Sequence, residues 1–180
     1  MDFRVLGRCF VAAVFAVGLI GCGGSSSGGG KAAVPPTPFN VASQDNGGVA
    51  TATYDSANAG LINDAIFDLV EKVNQGSFWA GNANGDLITI ALDGSHLVSQ
   101  FTLYTNKTNN SDTTIQYSTD GATFTSIAIF SDCPTASIGS GRIDCTFASA
   151  KKMTHLRVLV NSNATDVRLY ELIAMGLPEA

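Results

Sequence analysis

The sequence is poor in the side chains on which most catalytic and metal sites depend. Its 180 residues include two histidines, His96 and His155, one tryptophan and four cysteines, and only 14% of the residues are charged. It contains no H-E-x-x-H and no C-x-x-C motif, and Gly139-Ser140-Gly141 lacks the Lys-Ser/Thr of a phosphate-binding loop. These absences exclude the common zinc, redox and nucleotide motifs, and we expect a protein that is not an enzyme.

Basic residues are also scarce. The chain has 10 Lys and Arg against 15 Asp and Glu, a net charge of −5, and Lys151-Lys152 is the only adjacent basic pair. Binding to nucleic acid requires a concentrated basic surface. The sequence therefore predicts no nucleic-acid partner.

The N-terminus has the pattern of an export signal. Two arginines precede the apolar run Cys9 to Ile20, which has the length of a secretory signal and is too short to span a bilayer. The run ends in Leu19-Ile20-Gly21-Cys22, which resembles the lipobox of bacterial lipoproteins. This resemblance implies that residues 1–21 are a lipoprotein signal peptide and that Cys22 carries the lipid. Ordinary signal cleavage nearby is the alternative.

A linker separates this cysteine from the rest of the chain. Residues 22–38 are rich in glycine, serine and proline and have no apolar periodicity, so they are predicted to be an extended, flexible tether. The domain that follows is predicted to span residues 39–180. We expect an exported protein held by its lipid on a bacterial membrane, at the outer membrane or cell surface rather than in the cytoplasm.

Cysteine usage is consistent with export. Cys9 leaves with the signal peptide and Cys22 is the lipid site, so Cys133 and Cys145 remain as an even pair. Exported proteins favour disulfides, and we predict a Cys133–Cys145 disulfide. Metal ligation is the alternative, but two cysteines without a nearby histidine make a poor zinc site.

Short alternating segments dominate the chain from residue 39 onward. Asp93-Gly94 and Asp120-Gly121 are typical turns between them. Only residues 60–73 have helical spacing, and they could also be a loop with one helical turn. The predicted strands are 86–92, 97–105, 113–119, 123–130, 142–147, 155–160 and 167–175. The predicted fold class is all-β, an antiparallel β-sandwich with little helix.

Several of these segments are similar to a known family. YSTDGATF (117–124) resembles the hairpin "S-x-D-G" of discoidin domains, also called coagulation factor V/VIII type C domains. Ser77-Phe78-Trp79, His155 to Val158 and ELIAMG (171–176) resemble further family segments, in the family's order. The resemblance covers roughly residues 40–176. It implies a galactose-binding-like jelly roll.

The resemblance also implies a structural Ca²⁺. Many related domains hold this ion between the first long loop and a glutamate of the last strand, with oxygen ligands. The corresponding donors in this sequence are Asp64, Asp68, Asn74, Ser77 and Glu171. The alternative is a solvated acidic loop and a glutamate that caps backbone amides.

A ligand site on such a sandwich is expected on loops at one end. Candidate residues are the aromatic Trp79 and Tyr54 and the polar His96 and Arg142. Core packing is the alternative for the aromatic residues. We therefore expect a non-catalytic module that binds a carbohydrate or another surface component. The alternative is a structural or protein-interaction lipoprotein of the envelope, adhesin-like and without a small-molecule ligand.

Overall fold

The computed structural model describes residues 35–66, 69–108, 111–139, 141–161 and 166–179. They belong to one compact unit that begins at Pro35. The predicted signal peptide, Cys22 and the linker up to residue 34 lie outside the described residues. In the part of the chain that is described, no helix is long and apolar enough to cross a bilayer.

Antiparallel strands with short helical segments between them make up the domain. The strands are β1 (Phe39–Asn40), β2 (Val49–Ala52), β3 (Trp79–Gly81), β4 (Leu87–Thr105), β5 (Thr113–Ser118), β6 (Thr125–Ser126), β7 (Ser137–Gly139), β8 (Arg142–Val160) and β9 (Val167–Pro178). The helical segments are α1 (Leu69–Gln75), α2 (Ile129–Asp132) and two 3-10 helices, Gln44–Asn46 and Ser56–Ile62. The predicted all-β class with little helix is confirmed.

Two strands of 19 residues each, β4 and β8, form the centre of the fold. Their ladders connect the strands in the order β1-β9-β4-β8-β5-β6, while β2 pairs with β4, β3 with β9 and β7 with β8. A register shift between Ala91 and His96 divides β4 into two halves. The first half pairs with β2 and the end of β8, and the second pairs with β9 and the start of β8. The two halves thus belong to the two layers of the predicted sandwich. The predicted strands 86–92 and 97–105 are parts of β4, and 142–147 and 155–160 are parts of β8.

Alternation along the strands separates the core from the surface. In the second half of β8, Leu156, Val158 and Val160 are fully buried, whereas His155 and Arg157 face outward. This follows from the period of two in a strand, which places successive side chains on opposite faces. The side chains that are exposed on β8 are therefore held by a rigid, buried row beneath them.

The predicted disulfide is confirmed. Cys133 and Cys145 are bonded to each other, with a sequence separation of 12, and both are buried. Cys133 directly follows α2, and Cys145 lies in β8. The bond therefore fastens the segment after β6 to a central strand.

The YSTDGATF segment forms the turn between β5 and β6. The Asp120 carboxylate accepts hydrogen bonds of 2.8 Å from the backbone amides of Ala122 and Thr123. These amides, with the Ser118 hydroxyl, lower the pKa of Asp120 to about 2. Gly121 takes a positive φ of 74°, a conformation that favours glycine. The motif is a locally satisfied turn that fixes the position of its neighbours.

Two segments differ from the prediction. The predicted strand 123–130 contributes only β6 to the sheet and then turns into α2, where the Asp132 carboxylate accepts a 2.8 Å bond from the Ala128 amide. Residues 60–73, predicted to be either a helix or a loop with one helical turn, do not form one continuous helix: α1 begins at Leu69, and Val70 and Val73 are 69% and 49% exposed. The apolar spacing in that segment does not mark the buried face of one helix, because Ile62 is buried in a separate 3-10 helix and, among the α1 side chains whose burial is described, the buried one is Lys72.

Candidate functional site

A shallow groove on the outer face of the β2-β4-β8-β5 layer is the best candidate site. It has a volume of about 360 Å³. Its polar lining residues are Thr51, Thr53, Thr89, His155 and Arg157, with Gly121 at one wall. We call it the Arg157 groove.

Strand register brings these residues together. Thr51 pairs with Thr89, Thr89 pairs with Arg157, and Arg157 pairs with Gln116, so a row of polar side chains crosses four strands. Residues directly opposite each other in a sheet point to the same face. The groove is thus formed mainly by strands, with the turn between β5 and β6 at one wall.

Arg157 lies in the middle of this row and is partly buried. Its guanidinium carbon lies 3.3 Å from the centroid of the Phe124 ring, and its Nε donates a 3.1 Å hydrogen bond to the Thr89 hydroxyl. Burial lowers the pKa of Arg157. The side chain is held flat against the ring, which fixes the direction of its remaining N–H donors.

Arg157 differs from the other described arginines in its partners. Arg142 and Arg168 also lie over aromatic rings, but each has an ion pair, with Asp144 and Asp166 respectively. Within the described residues, no ion pair involves Arg157. It is therefore a positive group that no carboxylate in the described part of the chain neutralises.

His155 is the second basic group of the groove. Its Nδ1 lies 2.8 Å from the Thr154 hydroxyl, and its ring meets Phe124 edge-on with centroids 6.4 Å apart. The turn packs closely against it: a Cβ on Gly121 would lie 2.6 Å from His155 Cε1. His155 is therefore confined between the turn and the groove.

Other depressions on the surface have fewer features of a binding site. One of about 220 Å³ has a lining that is mostly aliphatic, with Ile115, Ile127, Ile129 and Ile143. Another contains Arg142, whose charge is paired with Asp144 at 2.7 Å. Neither combines an unpaired charge with a row of hydroxyl groups.

The residues predicted for ligand binding do not lie together in one pocket. Trp79 is fully buried and its Nε1 donates a 2.7 Å bond to the Tyr54 carbonyl, so the alternative of core packing is confirmed for Trp79. The Tyr54 side chain is 47% exposed and follows the groove residue Thr53. His96 is not on a loop: it lies in β4, is 3% exposed, and contacts Asp93 at 2.5 Å.

Two of the predicted calcium ligands meet, but around a lysine. The Nζ of Lys72 lies 2.7 Å from Asp64 Oδ1 and 2.7 Å from Glu171 Oε2. It also donates to the carbonyls of Leu61 at 2.6 Å and Tyr170 at 2.7 Å. The Lys72 side chain is 2% exposed. We call these five residues the Lys72 cluster.

The electrostatics of the cluster are unusual. Burial raises the pKa of Glu171 to about 8, and the neighbouring Asp64 carboxylate acts in the same direction, while the Lys72 ammonium opposes the rise. One ammonium cannot neutralise two carboxylates, so a proton on Glu171 is favoured.

The remaining predicted calcium ligands lie elsewhere. Asn74 is exposed on α1, and Ser77 donates its backbone amide to the Lys72 carbonyl. Asp68 lies outside the described residues. Among the residues that are described, no group of three His, Cys, Asp or Glu side chains could hold a metal ion.

Sequence reasoning missed the Arg157 groove, although the alternation of HLRVLV carries its signal. In a strand, His155 and Arg157 must share one face with Leu159, while Leu156, Val158 and Val160 share the other. The contributions of Thr89 and Phe124 could not be read in this way, because they depend on strand register and on the turn.

Comparisons with known proteins identify the fold. No protein-family model matches the sequence, and no curated protein matches it significantly. Solved structures do match. The Clostridium perfringens module CpGH89CBM32-6 is 20% identical, with a TM-score of 0.56 over 75% of this chain and 97% of the module.

Two further structures show the same likeness. Chitosan-binding module 1 of a Paenibacillus sp. IK-5 chitosanase/glucanase is 23% identical, with a TM-score of 0.52 over 75% of this chain and 97% of that one. The lectin binding domain of lectinolysin, in complex with Lewis b, is 14% identical, with a TM-score of 0.57 over 79% of this chain and 100% of that one. The described domain thus has the discoidin-like, galactose-binding-like β-sandwich fold of the family 32 carbohydrate-binding modules.

Proposed function

We propose that this protein is a non-catalytic carbohydrate-binding module and that its ligand lies in the Arg157 groove. The fold likeness supports the first part, because the similar structures include modules named for binding carbohydrate. The groove supports the second, because threonine hydroxyls and a histidine are suited to hydrogen bonding with sugar hydroxyls. The proposed site is on a strand face, whereas the sequence led us to expect a ligand site on loops at one end of the sandwich.

One observation indicates the class of carbohydrate. Arg157 has a ring beneath it and a hydroxyl beside it, but no carboxylate partner among the described residues. A guanidinium fork matches a carboxylate or sulfate group through two parallel hydrogen bonds. We infer an acidic carbohydrate, one that carries uronic acid or sulfate groups.

The overall charge of the protein makes this inference testable. The chain has a net charge of −5, so it repels a polyanion in general. Binding to an acidic polysaccharide would therefore depend on a local site and not on unspecific attraction.

Lipid attachment at Cys22 would place the module on a bacterial membrane. The sequence predicts a flexible linker between the lipid and the domain, and about sixteen such residues would hold the module some 20–25 Å from its anchor. Metabolic labelling with a clickable fatty acid tests this part separately: we expect label on the wild type and none on Cys22→Ser. Unlabelled wild-type protein would contradict it.

Affinity electrophoresis tests the binding proposal. Gels containing polygalacturonate, alginate or chondroitin sulfate should retard the purified protein, whereas gels with neutral dextran or galactan should not. Arg157→Ala should lose the retardation. Arg142→Ala is the matched control, because it also removes an arginine over an aromatic ring, but outside the groove.

Two results would contradict the proposal. One is the absence of retardation by every polysaccharide in the panel, in which case a stable co-purifying protein would favour the structural alternative. The other is an equal loss in both arginine variants, because that would indicate general charge and not a site.

A further inference from the structure

The Lys72 cluster connects the first long loop to the last strand through a buried charge. Leu61 and Asp64 lie in the long segment between β2 and β3, and Tyr170 and Glu171 lie in β9. The lysine is separated by 98 and 99 positions from its partners on β9. This connection lies apart from the Arg157 groove and has no part in the proposed function.

The cluster occupies the place where the resemblance implies a structural Ca²⁺, so the fit of that ion can be tested. Calcium takes about six to eight oxygens at roughly 2.3–2.6 Å. Here four oxygens, from two carboxyl groups and two carbonyls, converge at 2.6–2.7 Å on the nitrogen of a lysine ammonium. A cation could not enter without displacing the ammonium. The described residues do not fit Ca²⁺.

We propose that the Lys72 ammonium takes the place of the structural divalent cation, so that this sandwich closes its long loop onto β9 without a metal. The donor set is of the kind that a hard cation prefers, carboxylate and carbonyl oxygens, and a lysine ammonium uses the same oxygens as hydrogen-bond acceptors.

The position of Lys72 in α1 explains why its side chain points into the protein. Its neighbours in the helix, Val70 and Val73, are exposed, so the turn of helix presents the lysine inward and the valines outward. Burying a lone ammonium costs several kcal/mol unless hydrogen-bonding partners compensate it. The ammonium has three N–H donors, and the four oxygens around it satisfy all of them, although only 2% of the side chain remains accessible to water.

Calcium sensitivity of the wild type is the first test. We expect the melting temperature to be the same, within about 1 °C, in excess chelator and in millimolar Ca²⁺, because an ion that binds only the folded state would raise it. Isothermal titration of Ca²⁺ into chelator-treated protein should give no binding. A stoichiometric calcium site, or a melting temperature that rises with Ca²⁺, would overturn the proposal.

Substitution of the lysine is the second test. Lys72→Met retains most of the side-chain volume but removes the charge, and should lower the melting temperature by about 6–20 °C, as expected for a broken buried ion pair. Lys152→Met is the matched control, because Lys152 pairs with Glu179 at the surface and is 52% exposed; its melting temperature should stay within about 2 °C of wild type. A Lys72→Met protein as stable as the control would also overturn the proposal. If Lys72→Met does not fold, the calcium measurements on the wild type remain decisive.

Discussion

Arg157→Lys is the substitution that separates the geometry of the Arg157 groove from its charge. Lysine keeps the positive charge but has no planar fork. It cannot reproduce the flat stacking of the guanidinium 3.3 Å above Phe124 together with the 3.1 Å bond to Thr89. If the ligand is recognised through two parallel hydrogen bonds, the lysine variant should bind it much more weakly.

The size of the effect follows from the contact that is lost. A hydrogen bond to a charged group contributes about 1.5–3 kcal/mol, which corresponds to a roughly 10- to 150-fold rise in Kd. The stacking on Phe124 is already present without the ligand, so its loss weakens binding only because the lysine is no longer held in a fixed orientation. We expect Arg157→Lys to weaken binding at least about 10-fold and Arg157→Leu to weaken it further.

Isothermal titration with an acidic oligosaccharide measures this effect. The melting temperature of each variant is the control for folding, because Arg157 also packs against Phe124 and its replacement removes that contact. Phe124→Leu keeps the arginine but removes its platform, so it should weaken binding less than Arg157→Leu. An Arg157→Lys protein with the affinity of the wild type would refute the reasoning, because charge alone would then be sufficient.

Three further predictions concern stability. Replacing both Cys133 and Cys145 by alanine should lower the free energy of unfolding in urea by about 3 kcal/mol, the value for closing a loop of this length; a loss below about 1 kcal/mol would contradict this. Gly121→Ala should destabilise the turn and displace His155, since the added Cβ would lie 2.6 Å from the ring at a positive φ of 74°, and unchanged NMR shifts of the His155 ring would argue against it. Burial raises the pKa of Glu171 to about 8, so the folded state holds this proton more tightly than the unfolded chain, and the free energy of unfolding should fall as pH rises from about 5 towards 8. Glu171→Gln should flatten that fall, and a profile identical to wild type would contradict the assignment.

The strand pattern could be predicted because it depends on local alternation and turn residues. HLRVLV and TTIQYST have the period of two in their own sequence, and both segments lie in strands, β8 and β5. The strand predicted over 123–130 was wrong beyond Ser126, because the helical turn of α2 depends on Asp132, outside that segment. Local periodicity therefore identified the central strands correctly, but it did not identify the structure of the irregular segment around α2, which the disulfide fastens to β8.

The candidate sites could not be predicted to the same extent, because they depend on distant partners. Nothing in the segment LVEKVNQ distinguishes Lys72 from a solvated lysine, and the valines beside it match a helix face. Its burial is decided by Glu171 and the Tyr170 carbonyl, which the fold brings to it from β9. Trp79 illustrates the same point, since its role in the core depends on a hydrogen bond to the Tyr54 carbonyl.

Lys72 and Arg157 have opposite physical roles in this fold. Lys72 has four oxygen partners and almost no exposure, so a ligand has no donor or charge to gain from it. Arg157 has an aromatic ring and a hydroxyl, partial exposure, and no carboxylate within the described residues. The N–H groups of Arg157 already point in a fixed direction before an anion replaces the water at them. Binding therefore costs little side-chain conformational entropy. The same kind of charge therefore stabilises the fold where its partners are complete, and is available for recognition where an anionic partner is missing.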